Sequence, residues 1–114
     1  DLQNDMKKQG RPWSIGKGVD HSAPIGPITP AAQAGDVGKA GIWLQVNGVD
    51  RQRSNVAQLI WNIAETIEHL SAAWELQPGD LIYTGTPEGV SAVVTGDVLE
   101  GGVDGLGSIR LKLV

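Results

Sequence analysis

Ile42-Trp43-Leu44-Gln45-Val46-Asn47-Gly48-Val49-Asp50-Arg51-Gln52-Arg53 is the stretch that decides the fold. Ile42, Leu44 and Val46 alternate with Trp43 and Gln45, the period-two pattern of a strand with one covered face. Asn47-Gly48 then supplies two residues that tolerate the positive φ of a type I′ turn, and residues 49–53 return. The stretch reads as a β-hairpin. Its second strand is largely polar, which suits a sheet edge or a wet face.

Downstream, Asn55 and Gln58 have the spacing of a capping box. Val56, Leu59, Ile60, Ile63, Ile67, Leu70 and Trp74 follow at intervals of three and four, which predicts one amphipathic helix near 55–74. Gln77-Pro78-Gly79-Asp80 places Pro and Gly where a type II turn needs them. Residues 81–84 read as a buried strand and Thr86-Pro87-Glu88-Gly89 as a type I turn. Val98 and Leu99 suggest a short strand, and Ile109, Leu111 and Leu113 a last one. Upstream, residues 1–40 are broken repeatedly by Gly and Pro, with a short helix over residues 1–9 ended by Gly10. The predicted class is α+β, mostly β.

At 114 residues and 12.0 kDa the chain fits one small domain or a piece of a larger one. A composition 40% hydrophobic and 19% charged is that of a soluble globular protein, not a disordered one. A net charge of −4 removes the usual electrostatic case for nucleic acid or anionic membrane. What basic character there is lies at the front, in Lys7, Lys8, Arg11 and Lys17, and residues 54–109 contain no Lys or Arg. No stacking aromatics interleave those cations, so a nucleic-acid role is poorly supported. Zero cysteines exclude disulfides, thiolate catalysis and Cys-based metal sites, and suit a reducing cytosol. No apolar run approaches the ~20 residues of a membrane span, and the opening has no signal-peptide core.

Among residues that could carry chemistry, Lys17 lies between Gly16 and Gly18, where missing side chains let backbone and ligand approach closely. Its ammonium could neutralise a developing oxyanion or a substrate carboxylate, although an arbitrary loop lysine is usually just solvated. A Walker motif is excluded: the Gly10 to Gly16 spacing is one residue too long, and Gly18 replaces the hydroxyl residue. Asp20, His21 and Ser22 are the types of a hydrolase triad, but adjacent side chains point apart. His69 reads as a structural histidine of the helix. Thr84-Gly85-Thr86-Pro87-Glu88-Gly89 follows a strand, where backbone N–H groups and hydroxyls can form a carboxylate nest or simply a tight turn. Asp97, Glu100 and Asp104 lack an EF-hand spacing or a partner His, and read as solvated loop acids.

Several of these pieces together resemble the fumarylacetoacetate hydrolase family, particularly its shorter acylpyruvase and fumarylpyruvate hydrolase type. They are Asp1-Leu2-Gln3, Gly10-Arg11-Pro12-Trp13, Gly16-Lys17, Ser22-Ala23-Pro24, Val46-Asn47-Gly48 with Arg51-Gln52, Pro78-Gly79-Asp80 and Thr84-Gly85-Thr86-Pro87-Glu88-Gly89-Val90, closed by Gly96-Asp97 and Gly105-Leu106-Gly107. They run in order along nearly the whole chain. The resemblance implies a mixed β-roll, commonly dimeric, and a cytoplasmic enzyme of aromatic-compound catabolism. It implies hydrolysis of a C–C bond in β-diketo or 2-oxo acids such as fumarylpyruvate with Mg2+ or Mn2+. It also assigns Lys17 as the catalytic cation, and Gln3 and Thr86 as substrate-binding residues.

The family's Glu-x-Glu and Asp metal ligands and its lid His and Glu have no match here. The resemblance therefore implies that residues 1–114 are the C-terminal portion of the catalytic domain, with the metal ligands upstream of residue 1. The opening Asp1-Leu2, without an initiator Met, agrees with that expectation. Oxaloacetate decarboxylation or diene-dioate isomerisation on the same scaffold is an alternative, as is a non-catalytic truncated assembly module offering open strand edges. The expected outcome for the 114-residue polypeptide alone is no tight metal binding and no magnesium-dependent cleavage of an acylpyruvate, checked by metal titration and a turnover assay.

Overall fold

The computed structural model describes residues 2–114. β1 (Gly41–Val46) and β2 (Val49–Asn55) form the expected hairpin, closed by Asn47 at φ 53° and Gly48 at φ 79°. Both angles lie in the left-handed region that a type I′ turn requires. On its other side β1 pairs with β3 (Val98–Val103), which pairs with β4 (Gly107–Lys112). The sheet order is β2-β1-β3-β4, with every pair antiparallel. β2 is therefore an edge strand, as its polar residues predict.

Register fixes which residues share a face. Ile42 stands opposite Val103, Leu44 opposite Gly101 and Val46 opposite Leu99, while Gly101 faces Ile109 and Leu99 faces Leu111. Because side chains alternate along a strand, these residues form one apolar face. Val46 is the buried hydrophobic residue of that face, 4% exposed, and the rest are half-buried. Leu44 Cδ1 packs onto the bare Gly101, where a Cβ would come within 3.1 Å of it.

A register shift between Leu44 and Gln45 interrupts the hairpin ladder: Gln45 pairs with Asp50 but Leu44 pairs with Gln52, leaving Arg51 as the extra residue of a β-bulge. An unbulged two-residue hairpin would put Arg51 opposite Leu44. The bulge puts Gln52 there instead, beside the apolar face. Arg53 turns back to Asp50 in an ion pair of 2.8 Å, and Gln45 Nε2 donates to the same carboxylate at 2.8 Å. The Gln45 and Arg53 hydrogen bonds hold the Asp50 carboxyl below the usual aspartate range.

The described residues also form three α-helices. α1 (Leu2–Lys8) stops before Gly10, whose φ of 62° breaks the helical path. Asp1, included in the predicted first helix, lies outside the described residues. α2 (Ala31–Ala34) is a single turn after Pro30. α3 (Ile63–Ala73) begins later than the helix predicted near 55–74. Asn55 does cap, accepting from Ala57 N–H at 2.8 Å, but the turn it caps is the short 3-10 segment Val56–Gln58. Asn55 is also the last residue of β2, and its Nδ2 donates to Lys39 O at 2.7 Å, so it stays tied to the sheet. Leu59, at ψ 135°, then ends the turn. The helix starts at a second box: Asn62 Oδ1 accepts from Glu65 N–H at 2.9 Å and Glu65 Oε2 accepts from Asn62 N–H at 2.8 Å.

A second correction concerns residues 81–84. The type II turn before them forms, with Gly79 at φ 103° and Asp80 N–H donating to Gln77 O at 3.1 Å. The segment itself joins no sheet, and Leu81, Ile82 and Tyr83 are exposed by 52%, 39% and 59%. Apolar composition marked it for burial, but no described strand offers it a ladder. More broadly, the accessible surface is 9011 Å², whereas a folded monomer of this mass keeps about 6,000 Å².

Asp97, read from the sequence as a solvated loop acid, instead clamps the hairpin to β3. Asn47 Nδ2 donates to Asp97 Oδ1 at 2.8 Å, Val98 N–H donates to Asn47 Oδ1 at 2.9 Å, and Val94 N–H donates to Asp97 Oδ2 at 2.9 Å. The Val94 N–H and then the Asn47 amide hold the Asp97 carboxyl below its ordinary range. Since the unfolded chain takes up the proton more readily, the clamp contributes fully above the ordinary aspartate pKa of about 3.9 and is lost as pH falls through the lower folded value. Asp97→Asn is expected to lower the urea midpoint near neutrality, and the gap to the unsubstituted chain should close as pH drops below about 4; a gap independent of pH would contradict this.

Candidate functional site

Two clusters hold the residues singled out from the sequence. In the first, Gly16 lies against α1 so closely that a Cβ on it would sit 2.8 Å from Gln3 Cα. The bare glycine is what lets the 3-10 turn Ser14–Gly16 reach the helix at Gln3, with Lys17 the next residue along the chain. Trp13, from the same loop, carries two ammonium groups over its ring, Lys7 Nζ at 5.0 Å and Lys17 Nζ at 6.0 Å from the centroid. Attraction to the ring quadrupole holds both cations without neutralising them. Among the described residues neither is ion-paired with a carboxylate. The cluster is an exposed cationic wall suited to a carboxylate or an oxyanion.

Asp20, His21 and Ser22 form a turn next to this wall. His21 has φ 58°, and Ser22 Oγ donates to Val19 O at 2.5 Å. That hydroxyl is bonded to backbone, so the three residues shape the loop after Lys17 and do not assemble a triad. His69 stacks on Trp61, with ring centroids 4.2 Å apart, in keeping with a structural histidine.

The second cluster surrounds Thr86. The chain bends at Glu88, between Gly85 at φ 98° and Gly89 at φ 95°. What holds the segment is the edge of the sheet. Gln52 Nε2 donates to Pro87 O at 2.7 Å, to Thr86 Oγ1 at 2.9 Å and to Glu88 O at 3.2 Å. Gly89 rests on the bulge, its missing Cβ occupying the place of contact with Arg51 O. Pinned in this way, Gly85, Thr86 and Pro87 roof the apolar face over a cavity of about 300 Å³ lined also by Ile42, Leu44, Gln52 and Gly101. A neighbouring cavity of about 210 Å³ shares Leu44, Gln52 and Thr86.

Gln3 and the turn leading into Lys17 are thus brought together, while Thr86 stands in a separate cluster and Lys17 lines neither cavity. A hydrogen bond links the two regions: Tyr83 Oη donates to Ala23 O at 3.1 Å, joining the loop after Lys17 to the segment entering Thr86. Sequence reasoning gave Gln52 and Tyr83 no role of their own. A glutamine in a polar edge strand carries no signal of its contact, because an unbulged register would aim it at the other face.

Among the described residues no group of three or more His, Asp or Glu side chains could hold a metal ion. The residues present therefore do not fit a resident divalent cation. No helix of the described residues is long and apolar enough to cross a membrane.

Comparison with known proteins agrees with this architecture. A fumarylpyruvate hydrolase of a Ralstonia species is 50% identical over 113 residues, covering 99% of this chain and 58% of that protein. The crystal structure of fumarylpyruvate hydrolase from Pseudomonas aeruginosa in complex with Mn2+ and pyruvate matches with a TM-score of 0.93 and 56% identity, over 100% of this chain and 49% of that one. A mitochondrial oxaloacetate tautomerase of Rattus norvegicus is 39% identical over 113 residues, 99% of this chain and 51% of that protein. The chain spans about half the length of the relatives it matches.

Gly89→Ala is expected to cost about 2 kcal/mol, from the positive φ and the collision with Arg51 O. Urea denaturation checks this, and Gly10→Ala, at a milder positive φ of 62° and with open space around it, should cost less. The family description "Fumarylacetoacetate (FAA) hydrolase C-terminal" matches residues 1–114, and the chain belongs to that family.

Proposed function

We propose that this chain is the C-terminal portion of a divalent-metal-dependent hydrolase that cleaves a C–C bond in an acylpyruvate of the fumarylpyruvate type. The observation that carries the reading is the match to the Pseudomonas fumarylpyruvate hydrolase, whose structure contains Mn2+ and pyruvate, along the full length of this chain. On this reading the Mg2+ or Mn2+ ligands come from polypeptide outside residues 1–114; among the described residues no group of three or more His, Asp or Glu could hold the ion.

The chain's own contribution is charge and hydrogen bonding. Breaking the bond beside a 2-oxo acid moves negative charge onto the pyruvate fragment, and a fixed ammonium lowers the energy of that charge. Lys17, glycine-flanked and without a carboxylate partner among the described residues, supplies it. Gln3, on the same wall, contacts substrate, and the Thr86 hydroxyl binds its carboxylate or oxo end. Arg11 can meet a distal carboxylate.

The 39% identity to a mitochondrial oxaloacetate tautomerase supports a second reading on the same site, in which the enolate is stabilised and no C–C bond is cut. Substrate profiling of the full-length protein separates the two, since acylpyruvate cleavage releases pyruvate and tautomerisation of oxaloacetate does not. A homodimer, cytoplasmic and serving aromatic catabolism, completes the proposal. The excess surface, with Ile60 98% and Trp74 65% exposed, supports burial against further polypeptide.

In the full-length protein Lys17→Ala should lower kcat by about 10²–10³ with a smaller change in KM. Steady-state kinetics with fumarylpyruvate checks this. Unchanged kcat with a raised KM would make Lys17 a binding residue instead.

A further inference from the structure

We propose that Gln52 is a positioning residue that fixes the Thr86 hydroxyl as a hydrogen-bond donor toward an anionic oxygen of the bound 2-oxo acid. The inference rests on the reading of Thr86 as a substrate-binding residue. It begins with the orientation of the Gln52 amide. The end that meets Pro87 O at 2.7 Å and Glu88 O at 3.2 Å faces two carbonyl oxygens, which can only accept. That end must therefore be the NH2 group, and the usual ambiguity between amide oxygen and nitrogen is resolved by the partners themselves.

The same nitrogen lies 2.9 Å from Thr86 Oγ1; of its two protons the nearest acceptors are Pro87 O and this hydroxyl, with the longer contact to Glu88 O sharing one of them, so the hydroxyl accepts there. A hydroxyl has one proton and two lone pairs. With a lone pair engaged by Gln52, the Thr86 proton is directed elsewhere, and Thr86 is exposed at the cavity edge where a ligand can receive it. Donation from a hydroxyl to a carboxylate or enolate oxygen is a short, strong hydrogen bond. Gln52 also draws the Pro87 and Glu88 carbonyls toward β2, which keeps their negative ends from turning to an anionic ligand.

The support is rigid because Gln52 stands in a paired strand, opposite Leu44 and next to the bulge. A glutamate at this position would reverse every polarity. It would accept the Thr86 proton, repel the two carbonyls and add negative charge beside an anion. A methionine would keep the length of the side chain and remove the donor.

The test uses the full-length protein with Mn2+, measuring pyruvate affinity by calorimetry and kcat and KM with fumarylpyruvate. Gln52→Met is expected to weaken pyruvate binding about tenfold, the loss of one charge-assisted hydrogen bond, and Gln52→Glu by more. Thr86→Val should weaken it by a comparable factor. The deciding measurement is the double-mutant cycle with Gln52→Met: in the Thr86→Val background it should change affinity less than about twofold, because its route through the hydroxyl is gone, whereas Gln52→Glu still weakens binding there through its added charge.

Equal effects of Gln52→Met in both backgrounds, or no effect of it with Thr86 intact, would overturn the proposal in favour of simple loop support. Failure of both Gln52 variants to fold would do the same. Thr86→Val binding pyruvate normally would instead sink the assignment of Thr86, and the proposal with it. If the cycle shows the coupling but fumarylpyruvate is not cleaved, the positioning role stands and the hydrolase reading falls.

Discussion

Everything in the described architecture depends on the hydrogen-bond ladders on both edges of β1. Its backbone pairs with β2 on one side and β3 on the other, so it fixes the order of the sheet and sets which residues face the apolar side. The Asn47-Gly48 turn and the clamp from Asn47 to Asp97 and Val98 hold both neighbours at the same end of β1. The segment around Thr86 is placed relative to this frame. The roof over the apolar face exists because Gln52, on the outer strand, reaches the backbone of the segment around Thr86.

The bulge at Arg51 turns a structural strand into part of a site. One extra residue changes which side chain stands opposite Leu44, and the residue it delivers is an amide able to satisfy several acceptors. It also offers a backbone carbonyl on which Gly89 can rest. Bulges near functional sites commonly re-aim a side chain in this way. Here the result is a strand edge that carries a loop through side-chain bonds, where a further strand would have used a ladder.

The cationic wall has a different origin. It is built by a close approach that only a glycine permits, Gly16 against Gln3, and by an indole that gathers two ammonium groups. Like charges brought together in this manner repel, and a bound anion relieves that repulsion, so the wall favours an anionic ligand over none. The described residues supply the positive and hydrogen-bonding side of a site without a cluster of acids able to hold a metal.

Local signals were sufficient where structure is local. The hairpin follows from alternation and from the two turn residues, the end of α1 from Gly10, and the turn before residue 81 from Pro78-Gly79; each depends on torsional preferences of a few adjacent residues. The motifs around Lys17 and Thr86 identified the family, and with it the chemistry to look for. Sequence patterns misplaced the start of α3 because Asn55 and Gln58 have the spacing of a capping box, while the pairing of Asn55 with Gly41 in the sheet leaves it capping only a short turn. They placed residues 81–84 in a strand because apolar composition specifies a wish for burial and not a partner. The reach of Gln52 to Thr86, the bond from Tyr83 to Ala23 and the clamp by Asp97 join residues tens of positions apart. No periodicity encodes such contacts; they arise when folding sets register and brings separate segments within hydrogen-bond distance.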